Sequence, residues 1–313
     1  MKITPLQFRT LSFEDAASRW LEIKQMQVRK PRTIEMYRWY LRSLEAYFKG
    51  TLLSQIHIGQ ILEYQHQRRL SAGPSCVNHE INTLSQILRH ADLWDLIEKH
   101  YRPLPLPNWT PPKVLTAEEE EKFFRIAASN PDWRVAYWAV SLTNNTSAMG
   151  TELRHLQLKH LLLDDGTPRI FIPDDKVKNE FRSRVVPLNS VALKQIQRIG
   201  QRAKQLGAWH PDHYIFPFRV KRGTYDVTRP ASPYFIRSAF RSMRQVTGLD
   251  WLQPRNFRNQ IITKLFEAGT PDETIISIAG HQSIKMSRYY SRIRITAKAE
   301  ALNAICPTPR SAS

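Results

Sequence analysis

Two cysteines in 313 residues, Cys76 and Cys306, are too few and too far apart for a disulfide framework or a paired-thiol metal site, so a reduced intracellular setting is expected. Long apolar runs are missing as well. The first residues, Met1-Lys2-Ile3-Thr4-Pro5, lead into a segment containing Arg and Glu with no apolar stretch, so neither a signal peptide nor a membrane span is expected and the reading is a soluble, cytoplasmic protein. Glycine is scarce, 11 residues, and 42% of the chain is apolar, which suits ordinary packed cores in about two domains. Acidic residues are the most telling shortage. There are 28 against 46 Lys and Arg, a formal charge of +18. Dividing the chain at Thr110 leaves 15 basic and 10 acidic residues before it and 31 and 18 after it, so both halves could face a polyanion. Nucleic acid is the first candidate, with solvated Arg-rich helices as the plain alternative.

The first hundred residues read as a small helical unit. Ser12, with Asp15 three residues on, opens a helix that places Phe13, Ala16, Ala17, Trp20 and Leu21 on one face. Thr33 opens a second, with Tyr37, Tyr40, Leu41, Leu44 and Phe48 at helical spacing up to Gly50. Ile58, Ile61 and Leu62 suggest a third helix, and after the turn Ala72-Gly73-Pro74-Ser75 the residues Val77, Ile81, Leu84, Ile87, Leu88 and Ala91 suggest a fourth. Between Arg102 and Pro112 stand five prolines, which favour an extended path and read as a linker rather than a surface loop. Thr116 with Glu119 then forms a capping box for a new helical run.

The second half reads as mostly helical with one strand pair. Arg169 to Pro173 and Arg184 to Leu188 are short β-prone runs joined by a charged stretch that carries Lys176, Lys178 and Arg182 at the hairpin tip. Helices are expected over 191–206, 233–246, 254–266 and 273–279, with Gly269, Thr270 and Pro271 as C-cap, N-cap and first helical residue between the last two.

Chemistry is concentrated near the C-terminal end. Arg255-Asn256-Phe257-Arg258-Asn259 is followed by Ile278-Ala279-Gly280-His281-Gln282-Ser283 and by Met286-Ser287-Arg288-Tyr289-Tyr290. A guanidinium, an imidazole and a phenol brought together can attack a phosphodiester: the first neutralises developing charge, the second donates a hydrogen bond, the third is the nucleophile. The ordered set resembles the tyrosine recombinases, or phage-type integrases. The set comprises a helical domain, a proline-bearing linker, the Glu152-Leu153 pair, a Lys-bearing hairpin, an Arg helix, Gly280-His281 and a Tyr nine residues later. The resemblance covers about Phe13 to Ala301.

The resemblance implies a mainly α chain with a small β-hairpin. An N-terminal helical, SAM-like core-binding domain would span 10–102, a Pro-rich linker 103–113, and a C-terminal α+β catalytic domain 114–306. It implies double-stranded DNA as partner, self-association on DNA up to a tetramer in the synapse, and no cofactor or metal. Arg258 would hold the non-bridging oxygens with its forked guanidinium. Lys178, with Lys176 as the fallback, would give the leaving 5′ oxygen its proton. His281 would bond the same phosphate. Tyr290 would store the bond as a phosphotyrosine ester, so that rejoining needs no ATP. Tyr289 then reads as a packing residue, and His210 and His213 as ordinary histidines.

Two positions depart from the pattern. The family's first arginine lies three residues before the Glu-Leu pair, and here that position is Met149; losing one donor to developing charge typically costs about 3 kcal/mol. Arg154 is not expected to substitute, since five helical residues turn it about 140° from Met149. The histidine three residues before the second arginine is replaced by Arg255, which cannot accept a proton but could add a second guanidinium beside Arg258 at i, i+3. For DNA backbone contacts the candidates are Lys30, Arg32, Arg38 and Arg42 around the second helix and Arg68 and Arg69 at the end of the third. Beyond Tyr290 the apolar positions Ile293 to Ile305 could pack at home or dock on a neighbouring protomer. A recombinase or integrase is the leading reading. A catalytically attenuated or silent DNA-binding relative serving a partner recombinase is the second, and a type IB topoisomerase is disfavoured by the short chain.

Overall fold

Ser12 accepts a hydrogen bond from the Asp15 N–H and starts a helix whose buried residues are Phe13, Ala16, Ala17 and Trp20, the face its spacing predicts. In the computed structural model, which describes residues 4–280 except 29, 30, 109, 111, 165 and 174–182, this helix belongs to the first of two compact units, divided at Trp109/Thr110. The first unit contains α1 (Pro5–Arg9), α2 (Phe13–Gln27), α3 (Pro31–Tyr47), α4 (Ile58–Arg68), α5 (Pro74–His90) and α6 (Asp95–Glu98). Helices α2, α3 and α5 pack on one another, closing a core of Trp20, Leu44, Phe48, Ile61, Ile81 and Leu84. The two short end helices add Phe8, Trp94 and Ile97 to that core; the sequence reading lacks them, because four or five residues are too few to show a helical period. Leu62, expected inside, is 46% exposed, so the buried face of α4 is carried by Ile61 and Tyr64.

One polar group is built into this unit. Glu80 is fully buried and accepts from the Tyr64 hydroxyl at 2.7 Å, from the Arg68 guanidinium at 3.0 and 3.1 Å, and from the Cys76 thiol at 3.3 Å. Burial, followed by the bond to Glu80, pushes the Cys76 thiol up to about 11, so it stays protonated and is a poor nucleophile.

The second unit is laid around α8 (Arg134–Thr146), whose apolar run from Ala136 to Leu142 is buried almost throughout. Before it comes α7 (Ala117–Ser129), begun by the expected Thr116/Glu119 capping box. After it come α9 (Gly150–Arg154), β1 (Leu161–Leu162), β2 (Arg169–Ile172), β3 (Arg184–Pro187) and α10 (Ser190–Gln205). The chain continues with β4 (Pro217–Lys221), β5 (Thr224–Pro230), α11 (Arg237–Thr247), α12 (Pro254–Glu267) and α13 (Asp272–Ala279). Both α10 and α12 pack on α8, and α11 on α7. The three strands β1, β2 and β3 form an antiparallel sheet in that order, with Ile170 opposite Val186 and Ile172 opposite Arg184.

Three expectations are corrected here. A second hairpin, β4–β5, is present; its strands are largely exposed and carry no clean alternation, which hid them in the sequence. The helix expected from 233 begins at Arg237, because Pro233 to Ile236 form turns. Pro271, not Thr270, is the N-cap of α13, while Gly269 takes the left-handed conformation at φ 71° that ends α12. Among the described residues no helix is long and apolar enough to cross a membrane.

Candidate active site

The second unit gathers two arginines and a glutamate in its interior. Glu152, Arg184 and Arg258 are only 6%, 8% and 6% exposed. Each arrives from a different element: Glu152 from α9, Arg184 from the first residue of β3, Arg258 from the second turn of α12. Arg184 grips the carboxylate with both ends of its fork, Nη1 to Oε1 at 2.9 Å and Nη2 to Oε2 at 3.2 Å. The Met149 N–H also donates to Oε2, at 2.8 Å, and Arg258 Nη1 stands 3.9 Å from the same oxygen. Burial by itself pushes the Glu152 carboxyl up; the bonds from Arg184 and Met149, with the charge of Arg258, outweigh it and hold the group below the ordinary glutamate value.

Both arginines also donate to backbone carbonyls. Arg258 donates from Nη1 to Ser147 O at 2.7 Å and from Nη2 to Ala279 O, while Arg184 donates from Nε to Ile278 O at 2.9 Å. The Ser147 hydroxyl also donates to Ile278 O, at 2.9 Å. Ile278 and Ala279 are the last residues of α13, where unpaired carbonyls and the negative end of the helix dipole favour cations. The cluster therefore ties two segments together. One is the turn that ends α8, with Ser147 left-handed at φ 60°, and runs into Met149; the other is the end of α13, immediately before His281.

Gly280 is shaped by the same contact. It is left-handed at φ 64°, and a Cβ there would lie 2.8 Å from Arg184 Nη1. Because that guanidinium is already held by Glu152, it has nowhere to retreat. Gly280→Ala is expected to lower the unfolding free energy by about 1–3 kcal/mol, read from urea denaturation, since both the backbone conformation and the contact oppose it.

Position 149 and its surroundings differ from the sequence expectation. Met149 is the extended N-cap of a helix only five residues long, at φ −83° and ψ 158°, so helical rotation from 149 to 154 does not apply. Met149 and Arg154 line one cavity of about 450 Å³, together with Arg237, Arg241 and Arg244. Arg154 thus shares a cavity wall with Met149, while its Nη1 donates to Ala231 O. Arg255 stands exposed on the first turn of α12, three residues before the buried Arg258. His281, Tyr290, Lys178 and its fallback Lys176 lie outside the described residues, as do Lys30, Tyr289 and the apolar positions 293–305. His210 and His213 are surface residues whose ring nitrogens accept from nearby backbone N–H groups.

In the first unit, Arg32, Arg38 and Arg42 are exposed on α3, with Arg38 and Arg42 one turn apart beside the half-exposed Trp39. Arg69 is exposed too. Arg68 is committed elsewhere, its fork on Glu80 and its Nη1 on Ser71 Oγ at 2.7 Å.

The order of these features along the chain has a counterpart among known proteins. The sequence profile of the phage integrase family matches residues 113–296, more than half of the chain. The chain belongs to the phage integrase family. That membership supports a recombinase enzyme class for the second unit, which the profile covers, and does not extend to the first. Among solved structures, the Tn1549 transposon integrase in complex with transposon right end DNA is similar at a TM-score of 0.74 and 17% identity, over 92% of this chain and 99% of that one. A lambda integrase dimer bound to a COC′ core site gives a TM-score of 0.66 at 17% identity, over 91% and 97%. A lambda integrase tetramer bound to a Holliday junction gives 0.65 at 16%, over 88% and 79%. At such identities the likeness is one of fold. No curated protein sequence matches this chain.

In the sequence Glu152 is only a landmark and Arg184 only part of a hairpin. The signal that would have found them is a charged residue at a position where strand or helix pattern demands an apolar one: Arg184 takes an inward place in β3, alternating with the exposed Val185.

Proposed function

We propose that this integrase binds double-stranded DNA and cuts and rejoins it through a phosphotyrosine ester on Tyr290, as a site-specific recombinase of the cytoplasm. The observation that carries this reading is the buried Glu152–Arg184–Arg258 cluster, which fastens the turn before Met149 to the end of α13 directly before His281. Segments far apart in sequence that the family pattern assigns to one site are thereby drawn toward one point. In this reading residues 10–102 form the helical core-binding unit, 103–113 the connector and 114–306 the catalytic unit. Arg258 contributes positive charge to the phosphate, Lys178 protonates the leaving oxygen, and His281 bonds the phosphate while Tyr290 attacks. The solved relatives named above are bound to DNA, as complex, dimer and tetramer, which supports DNA as the ligand and assembly on it.

A second reading is favoured by Met149 and Arg255, which stand where the family pattern has an arginine and a histidine. In it the chain is an attenuated or silent DNA-binding relative that serves a partner recombinase. One assay separates the two. The full chain is incubated with nicked duplexes taken from the sequence around its gene, and the denatured products are resolved by gel. A covalent protein–DNA adduct that disappears in Tyr290→Phe is expected; DNA binding with no adduct in the wild type selects the second reading.

A further inference from the structure

The cavity beside Met149 is built for an anion. Arg237, Arg241 and Arg244 stand at i, i+4 and i+7 of α11, on one helical face; the adjoining face, about a quarter turn round, buries Phe240, Met243 and Thr247, and Phe240 also lines the cavity. Arg154 faces them from the end of α9, anchored through Nη1 to Ala231 O at 2.5 Å, so its position is set rather than free to swing. No acidic residue among those described lines the cavity, and none is in salt-bridge contact with these four arginines. Like charges one turn apart repel on a helix, and a bound anion would relieve that repulsion. Arg244 shows the demand most directly. Its Nε is buried and has no hydrogen-bond partner among the described residues, an unfavourable state for a charged donor.

We propose that this cavity is a phosphate subsite. Arg241 and Arg244, with Arg154 opposite, hold a backbone phosphate of the DNA next to position 149 and supply the guanidinium charge that Met149 does not. The inference rests on DNA being the ligand of this integrase and adds a set of residues to that reading. The cavity wall itself places the subsite at the reacting end of the molecule: Met149 lines it, and the Met149 N–H is bound to Glu152 in the buried arginine cluster. Arg255, the compensating residue suggested by sequence, is exposed and is not part of the lining. A phosphate with several oxygens matches convergent forked donors, which bind in pairs where a lysine would offer a single point charge.

The test uses the full chain and a short duplex of mixed sequence, with affinity measured by fluorescence anisotropy over a range of salt concentrations. In R241Q/R244Q, which keeps most of the stem length, affinity is expected to fall roughly tenfold and the slope of log K against log salt to shrink by about one, the signature of one lost phosphate contact. R241Q alone alters an exposed side chain and keeps the fold; it is expected to lose part of the same slope. An affinity and slope equal to wild type in both variants overturn the subsite. Cleavage of the nicked duplex then tests the placement: R241Q/R244Q is expected to slow it about a hundredfold, and M149R in that background to restore most of the loss. Failure of M149R to restore it overturns the placement at position 149. Absence of any adduct in the wild type counts against the recombinase reading alone, and the salt slope still decides whether the subsite exists.

Discussion

Glu152→Ala is expected to destabilise the second unit by about 3–5 kcal/mol, a large share of the 5–15 kcal/mol that holds an ordinary domain folded. The reason is what remains after the carboxylate is removed. The Arg184 fork loses both carboxylate oxygens, Arg258 loses the charge 3.9 Å away, and the Met149 N–H loses its acceptor; the three charged side chains are each less than a tenth exposed. Water cannot enter readily to take the carboxylate's place, so the cost is that of uncompensated buried charge rather than of one missing contact. Glu152→Gln is expected to lose less, because its oxygen can still accept from Arg184. The pH dependence has a definite sign. The folded carboxyl lies below its ordinary value of 4.5, so its contribution is complete above that value and is lost as pH falls through the folded one. Urea unfolding at a series of pH values should therefore show wild-type stability falling below about pH 4.5, and Glu152→Gln falling less over the same interval.

Arg258→Lys carries the largest expected effect on chemistry. A guanidinium can hold Ser147 O and Ala279 O at once, which is how the end of α13 and the turn before Met149 are kept together. An ammonium is a single point on a flexible stem and reaches one of them well. The charge survives, so the fold should largely survive, but the geometry of the site is relaxed. Cleavage of the nicked duplex is expected to slow about a hundredfold or more in single-turnover kinetics, with a shift of only a few degrees in the thermal midpoint. Arg258→Ala is expected to do both, because it leaves two buried carbonyls unpaired at about 1–3 kcal/mol each. A lysine variant that forms the Tyr290 adduct at the wild-type rate would show that the doubled hold on Ser147 and Ala279 is not what cleavage requires.

Helix α2 was legible because its cap and its period agree, with Ser12 and Asp15 at the start and Phe13, Ala16, Ala17 and Trp20 on the buried face. Hairpin β2–β3 is legible because Ile170-Phe171-Ile172 and Val185-Val186 are short β-prone runs on either side of a charged stretch. The β4–β5 pair was not, since its side chains are mostly exposed and a strand without a buried face leaves no pattern. Arg258 stands out through its neighbours in the chain, as a position in a family pattern. Its actual surroundings, the carbonyls of residues 147 and 279, are separated from it by 111 and 21 residues and left no local trace. That Arg154 shares a cavity with Met149 is equally invisible in the chain, because the cavity is closed by α11, more than 80 residues away.

The sequence by itself determined the basic character of both units, the helical faces, the family to which the chain belongs and the two departures at Met149 and Arg255. Those features are written in composition and in spacing along one element, which is all that a linear pattern can encode. The tertiary structure alone decided that Glu152 and Arg184 accompany Arg258 in one buried cluster, that Arg68 is occupied by Glu80, and that four arginines from α9 and α11 line the cavity at Met149. These depend on which elements meet, and a buried charge finds its partner across the fold because only a contact there can offset the loss of water.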